Sequence, residues 1–399
     1  MGEEGSRAKT LGERLVLPTL FITSLATQPP GIITGLLLID ISGTYGVSLG
    51  VAGQIRTLSP LVSSMMGLFM AVLALRYKQK SLLLAGLLFI GVSSLGCAFA
   101  PDFATMLIVY SLSGLGASMV FPMTQSIAGE LYASDDRVGA IAWISAAGSF
   151  AYVIGAPLIS FLEGIGGWQL AFLAFSLPVS FIGFLLAIRI LPTLKKEQRT
   201  QGGKVDYLEG IKKVLSNRSA AACLVGNTLS MAAWTAILLY TASFVRQVFQ
   251  LSTSYASIYI LALGILFTGG TLVSGRFVNR IGRKKIYVLS TLIGGIFLVI
   301  HYNLSNFWFS VAAGSISCVF FGVRVTASNN LSLEQLPAYR GSMMSLNSMI
   351  GNIGSAIGAG VGGLILILYN YSWLGIFFSL FSFMAVIVIQ FLAVDPIRR

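Results

Sequence analysis

Apolar runs of about twenty residues recur roughly twelve times along this chain, and its charges are gathered in the gaps between them. A run of that length is what a helix needs to cross the hydrocarbon core of a bilayer. In lipid each backbone N–H and C=O must find its partner inside the segment, so open strands are excluded. The runs fall near 15–39, 48–75, 81–100, 103–128, 138–162 and 167–189, then near 219–243, 254–275, 285–301, 306–331, 341–367 and 371–392. Between the two sets lies Arg189–Arg218, the one long polar stretch, close to the midpoint of the 399 residues. The expected organisation is therefore an all-α integral membrane protein of twelve transmembrane helices in two six-helix bundles. Residues 1–189 form the first, 190–218 a cytoplasmic linker and 219–399 the second.

Composition agrees. Hydrophobic residues make up 55 % of the chain and charged residues 10 %, against about 25 % in a soluble domain. The formal charge of +12 does not indicate nucleic-acid binding, because the basic residues sit at helix ends on one side. With the N-terminus placed inside, all Lys and Arg residues fall in cytoplasmic loops, tails or the linker except Arg246, in an outer loop, and Arg56 and Arg324, inside helices. The positive-inside rule thus puts both termini of this multi-pass protein in the cytoplasm, and the short outer loops suggest a plasma membrane. Cys97, Cys223 and Cys318 lie inside apolar runs without metal-ligand spacing and read as buried thiols. Within the linker, Leu208, Ile211, Val214 and Leu215 have the spacing of a short amphipathic helix on the inner leaflet, with Lys212 and Lys213 near lipid headgroups.

The loop after the eighth run reads Gly275-Arg276-Phe277-Val278-Asn279-Arg280-Ile281-Gly282-Arg283-Lys284-Lys285. It resembles the cytoplasmic loop motif of the major facilitator superfamily: a glycine, an acid four residues on, then Arg-x-Gly-Arg-Arg/Lys. Gly275, Arg280, Gly282, Arg283 and Lys284 match; Asn279 stands where the acid belongs. In the first half the counterpart is degraded, with Leu75 at the acidic position. Glu130 with Arg137, and Glu334 with Arg340, form an acid-to-base pair at related places in the two halves. Gly166-Gly167-Trp168 is similar to the family's Gly-Trp start of helix six. The resemblance spans nearly the whole chain and implies secondary transport by alternating access, through a central cavity between two bundles. The basic loop residues can also attract lipid phosphate or cap helix C-termini.

Charges inside the runs are the candidates for substrate contact or gating. Arg56 lies well inside helix two, where a charge must face a cavity or pair with a carboxylate. Asp40, at the outer end of helix one, is the nearest acid and its expected partner. Arg324 lies deep in helix ten and faces the lumen, pairs with Glu334 or snorkels inward. Gln28 precedes Pro29-Pro30-Gly31, which frees backbone groups in mid-membrane. Gln125, Asn227, Tyr255, Tyr259, Asn347 and Asn352 complete the polar set. Trp143 and Trp234 are aromatic wall or ordinary packing, and His301 is placed at an outer loop. Gly354, Gly358 and Gly362 share one face of helix eleven and read as a close-packing stripe. Gly148 with Gly155-Ala156-Pro157 loosely resembles the helix-five motif of family exporters.

No phosphate loop, zinc-hydrolase motif or nucleophile elbow occurs, so no enzyme activity, cofactor or metal is expected. The leading expectation is a monomeric proton-coupled exporter of small amphiphilic compounds. An organic-anion carrier or exchanger using the two intramembrane arginines is a second reading. A receptor or scaffold that keeps the fold without transport is a third.

Overall fold

The computed structural model of the protein describes residues 11–132, 134–192 and 207–396. Among them there are helices and no strands. Helix one is in three pieces, α1 (Leu11–Leu25), α2 (Pro29–Leu36) and α3 (Leu38–Tyr45). Pro29 and Pro30 supply no N–H, so the first break falls just before them, at Gln28. Helix two is likewise split into α4 (Leu49–Ala52) and α5 (Ile55–Arg76). Then follow α6 (Gln79–Ala98), α7 (Phe103–Leu131) and α8 (Ser134–Ala171), a π-helical turn at Phe172–Ser176, and α9 (Leu177–Ile190). Inside α8, Gly166 and Gly167 leave the helical region, Gly167 with φ 72°, so this element is two crossings joined by a glycine turn. The second half holds α10 (Tyr207–Ser216), α11 (Arg218–Val248), α12 (Thr253–Ile281), α13 (Arg283–Asn303), α14 (Phe307–Leu333), α15 (Arg340–Leu368) and α16 (Tyr371–Leu392).

Ten stretches of the described residues are long and apolar enough to span a membrane. One of them, Gly139–Ile190, is 52 residues long and contains the glycine turn. The 22 residues of α5 also reach across, at about 33 Å by helix rise. The expected twelve crossings are thereby accounted for. Their boundaries differ from the expected ones by a few residues, chiefly at the breaks in helices one and two.

The surface is inverted relative to a soluble protein. Phe391, Leu272, Trp308 and Phe99 are 70 % exposed or more, whereas Ser93, Ser94, Thr124 and Ser290 are buried. Most of the buried hydroxyls are satisfied by carbonyls of their own helix or by pairs across helices, such as Ser94–Ser176 and Ser230–Tyr287, both at 2.7 Å, while Ser93, Ser243 and Ser332 keep an unpaired Oγ. The glycine stripe of α15 is a packing face as expected: a Cβ at Gly354 or Gly358 would overlap the carbonyls of Thr228 and Ala232 on α11. Gly363, on another face, meets the Gly50 backbone of α4 in the opposite half.

One end of the molecule is basic. There Lys80 donates to the carbonyls of Ile188 and Leu191 (2.8 and 2.6 Å), and Lys284 to that of Ala393 (2.8 Å). Each lysine opens the third helix of its half and caps the C-terminus of the last. Gly282 joins α12 to α13 with φ 110°, a conformation that side chains other than glycine rarely adopt. The linker helix α10 forms, but Val214 and Ile211 pack into the apolar cluster at this end of the second half, while Leu215, Lys212 and Lys213 stay exposed. Its apolar face is thus turned largely to protein rather than to lipid. Linker residues 193–206 and both tails lie outside the described residues, as do the side chains of Arg137 and Asn279.

Candidate functional site

A cavity of about 310 Å³ lies between the two halves. Gln28 contributes from the break in helix one, and Ser145, Gly148, Ser149 and Tyr152 from α8. From the other half come Trp234, Ile237 and Leu238 on α11, Ile260, Leu263, Gly264 and Phe267 on α12, and Cys318 on α14. The spacing explains the lining. Positions 145, 148, 149 and 152 form one face of α8, and 260, 263, 264 and 267 one face of α12. Trp234 stacks on Phe267 with ring centroids 4.5 Å apart and meets Phe321 at 5.8 Å, giving one wall a broad aromatic surface. The polar groups are few: the Gln28 amide, two serine hydroxyls and the Tyr152 phenol.

Of the expected substrate residues, Gln28 lines this cavity directly; its Nε2 donates to Thr27 Oγ1 at 3.0 Å. Arg56 stands at the start of α5, half-buried, and donates from Nη1 to the Gly31 carbonyl at 2.7 Å. It does not pair with Asp40. Asp40 lies on α3, beyond the break at Leu37, and is held by Arg246 of α11 through two contacts of 2.5 and 2.8 Å. Arg246, expected in an outer loop, instead ends α11 and joins the two halves at the end opposite the basic one. Around that ion pair the halves also meet through Gln54 and the Gly360 carbonyl (3.3 Å). Further in, Ser64 reaches the Met349 carbonyl (3.1 Å) and Asn352 reaches Ser63 (3.3 Å).

Arg324 is 1 % exposed, so it neither snorkels nor reaches Glu334, which pairs with Arg340 at 3.1 Å. Its Nη1 points to Asn227 Oδ1 at 3.4 Å, its Nη2 to Met231 Sδ at 3.2 Å, and its Nε has no partner. Asn227 in turn donates to the Asn347 carbonyl at 3.1 Å, and Asn347 Nδ2 lies 3.4 Å from Asn329 Oδ1. These residues therefore gather in the core of the second half, one helical turn from the aromatic wall. Glu130 accepts from Gln79. Gln125 is half-buried on α7.

Tyr255 is 65 % exposed and outside the cavity lining, while Tyr259 is buried with its hydroxyl 3.3 Å from the Val311 carbonyl. Trp143 is also exposed; Trp234 is the cavity tryptophan. His301 is not in a loop. It sits on α13, 1 % exposed, among Phe244, Tyr259 and Tyr302, with Nδ1 2.9 Å from the Ser310 carbonyl. The described residues hold no cluster of potential metal ligands.

The sequence model described as "Major Facilitator Superfamily" matches residues 19–281 and 264–399, nearly the whole chain. One similar curated protein is "Transcription regulatory protein OpdE" of Pseudomonas aeruginosa, 24 % identical over 265 residues. That match spans 66 % of this chain and 65 % of the relative. Another is "Uncharacterized MFS-type transporter YwfA" of Bacillus subtilis, 20 % identical over 75 % of this chain and 73 % of its own length. Among solved structures, a bacterial homolog of the human lysosomal transporter Spinster, inward-facing and unoccupied, superposes with a TM-score of 0.78. It is 15 % identical and covers 97 % of this chain and 100 % of its own. The nucleoside transporter NupG gives the same TM-score at 16 % identity, over 94 % of this chain and 99 % of its own. At these identities the structures establish the fold alone.

Proposed function

The chain belongs to the major facilitator superfamily and is a membrane transporter of small molecules, and from that premise we propose that it exports small amphiphilic compounds by alternating access. The observation that carries the proposal is the cavity between the halves, mostly apolar, with an aromatic wall and a few hydroxyl and amide groups. Its volume of about 310 Å³ lies at the lower end of the usual range for ligand pockets. The two units, 1–189 and 219–399, would rock about this cavity as a monomer, with the basic end in the cytoplasm of a plasma membrane. In that orientation the Asp40–Arg246 pair closes the outer side, and the cavity serves the inner one. Export is favoured by the likeness of Gly148 and Gly155-Ala156-Pro157 to the helix-five pattern of family exporters.

Proton coupling has one carboxylate to draw on, Asp40. It sits at the outer end, tied to Arg246, so it suits a latch better than a carrier that must release its proton on the far side. Exchange, or transport driven by the substrate's own gradient, fits these side chains better. Purified protein in proteoliposomes, loaded with a fluorescent amphiphile and given an imposed pH gradient, tests both points. Efflux above that of empty liposomes supports transport, and a dependence on the gradient restores the proton. The name of the Pseudomonas relative favours a second reading, a receptor that binds without transport. Ligand-induced stabilisation with no flux in the same liposomes selects that reading.

A further inference from the structure

Arg324 is the largest fully buried side chain among the described residues, and no carboxylate among them compensates it. A guanidinium without a counter-charge in a low-dielectric core is among the most costly groups a protein can keep. What surrounds it is a neutral set: the Tyr287 hydroxyl, an amide oxygen at 3.4 Å, the face of the Phe321 ring with its centroid 6.0 Å away, and a thioether at 3.2 Å, with Nε unpartnered. The neighbouring Asn347 also leaves its buried Oδ1 without a partner. For stability alone, a methionine or leucine in this place would serve better.

The location gives the charge a use. Arg324 is one turn along α14 from Phe321, whose ring packs against the cavity residue Trp234, and two turns from Cys318, which lines the cavity itself. Met231 is one turn along α11 from Trp234 and is only half-buried, so the thioether over the guanidinium is reachable from the space between the halves. Thioether sulfur is a poor acceptor and methionine is the most adaptable apolar side chain, which makes it an easily displaced cover. The other intramembrane cation, Arg56, adds positive potential from the opposite half, and Asp40 is already spent on Arg246. Resting on the transport reading above, we propose that the transported amphiphile is an organic anion. Its apolar body lies against Trp234 and Phe267, and its carboxylate or sulfonate displaces the Met231 thioether to pair with Arg324 by charge-assisted hydrogen bonds.

Phenylbutyrate, phenylbutanol and phenylbutylammonium share one apolar body and differ in head-group charge. Binding of each to the full chain in detergent is measured by calorimetry, with melting temperature read alongside. The expected order of affinity is anion, then neutral, then cation. Arg324→Gln and Arg324→Met should weaken phenylbutyrate by about tenfold or more, the equivalent of one charge-assisted bond, and leave phenylbutanol nearly unchanged. Both variants should melt at or above the wild-type temperature without ligand, because they remove an uncompensated buried charge. Met231→Ala, which leaves the cation in place, should tighten phenylbutyrate. Equal affinity for the three compounds, wild-type phenylbutyrate affinity in Arg324→Gln, or no change in Met231→Ala would each overturn the proposal. So would chloride displacing phenylbutyrate at equal concentration, since the site would then serve any small anion without regard to an apolar body. In proteoliposomes, flux of phenylbutanol with no advantage for phenylbutyrate removes this inference alone; flux of neither removes the transport reading beneath it.

Discussion

Replacing Asp40 by Asn should shift the protein away from the conformation described here. Asp40 and Arg246 meet through both carboxylate oxygens, at 2.5 and 2.8 Å, with side chains 22 % and 13 % exposed. Two unit charges about 4 Å apart attract by about 4 kcal/mol at an effective dielectric constant near 20. Partial desolvation of both groups takes back part of that, leaving roughly 2 kcal/mol for the closed outer end. The contact joins α3 of one half to α11 of the other, so it exists only while that end is shut. Losing roughly 2 kcal/mol from one of two conformers changes their ratio by about thirtyfold. Spin labels at Gly43→Cys and Gln250→Cys, both exposed near this end, report the separation of the halves by pulsed dipolar spectroscopy. Asp40→Asn and Arg246→Gln should each populate a longer distance, and exchanging the charges, Asp40→Arg with Arg246→Asp, should restore much of the short one. An unchanged distance distribution in Asp40→Asn would refute the latch.

Gly282→Ala should lower thermal stability by about 1–3 kcal/mol, because a φ of 110° is strained for any residue with a Cβ; the melting temperature in detergent checks it. Gly358→Val should cost about as much by forcing α15 off the Ala232 carbonyl, and should slow transport as well as lower the melting temperature. Asp102 caps α7, accepting from the Thr105 N–H at 2.8 Å and the Thr105 hydroxyl at 3.0 Å, and these bonds hold its carboxyl below the ordinary value. The cap's contribution is therefore complete above the ordinary carboxylate range and drains away as pH falls through the lowered value. Asp102→Asn, which keeps an acceptor without a titrating group, should remove that part of the pH dependence from melting curves.

The crossings were readable in the sequence because lipid imposes both their length and their lack of charge. The first break in helix one was readable too, since Pro29 and Pro30 cannot donate. The split before Ile55 carries no proline, and Gly53-Gln54 resembles many unbroken helices. The partner of Asp40 was misassigned because sequence proximity favoured Arg56, whereas the true partner lies 206 residues away and depends on how the halves meet. His301 looked like a loop residue because the apolar run before it ended early; α13 continues to Asn303 and buries it. Most cavity-lining residues are apolar or small, so their only signal was one-face spacing on α8 and α12, which core packing shares. Arg324 was conspicuous as an intramembrane charge, but only the structure gives it Met231 for a cover and no acid for a partner.

The central claim is that the cavity between the halves opens alternately to the two sides of the membrane. Ser145 lines it and is exposed, so Ser145→Cys places a thiol in it; Cys318, the native cysteine that also lines the cavity, is replaced by Ser, and Cys97 and Cys223 are buried elsewhere. A membrane-impermeant maleimide is applied to right-side-out and inverted vesicles, with and without Asp40→Asn. Labelling is expected from the side of the basic end when the ion pair is intact, with a gain of labelling from the opposite side when Asp40 is replaced. Labelling from one side only, unaffected by Asp40→Asn, or from neither side would contradict it.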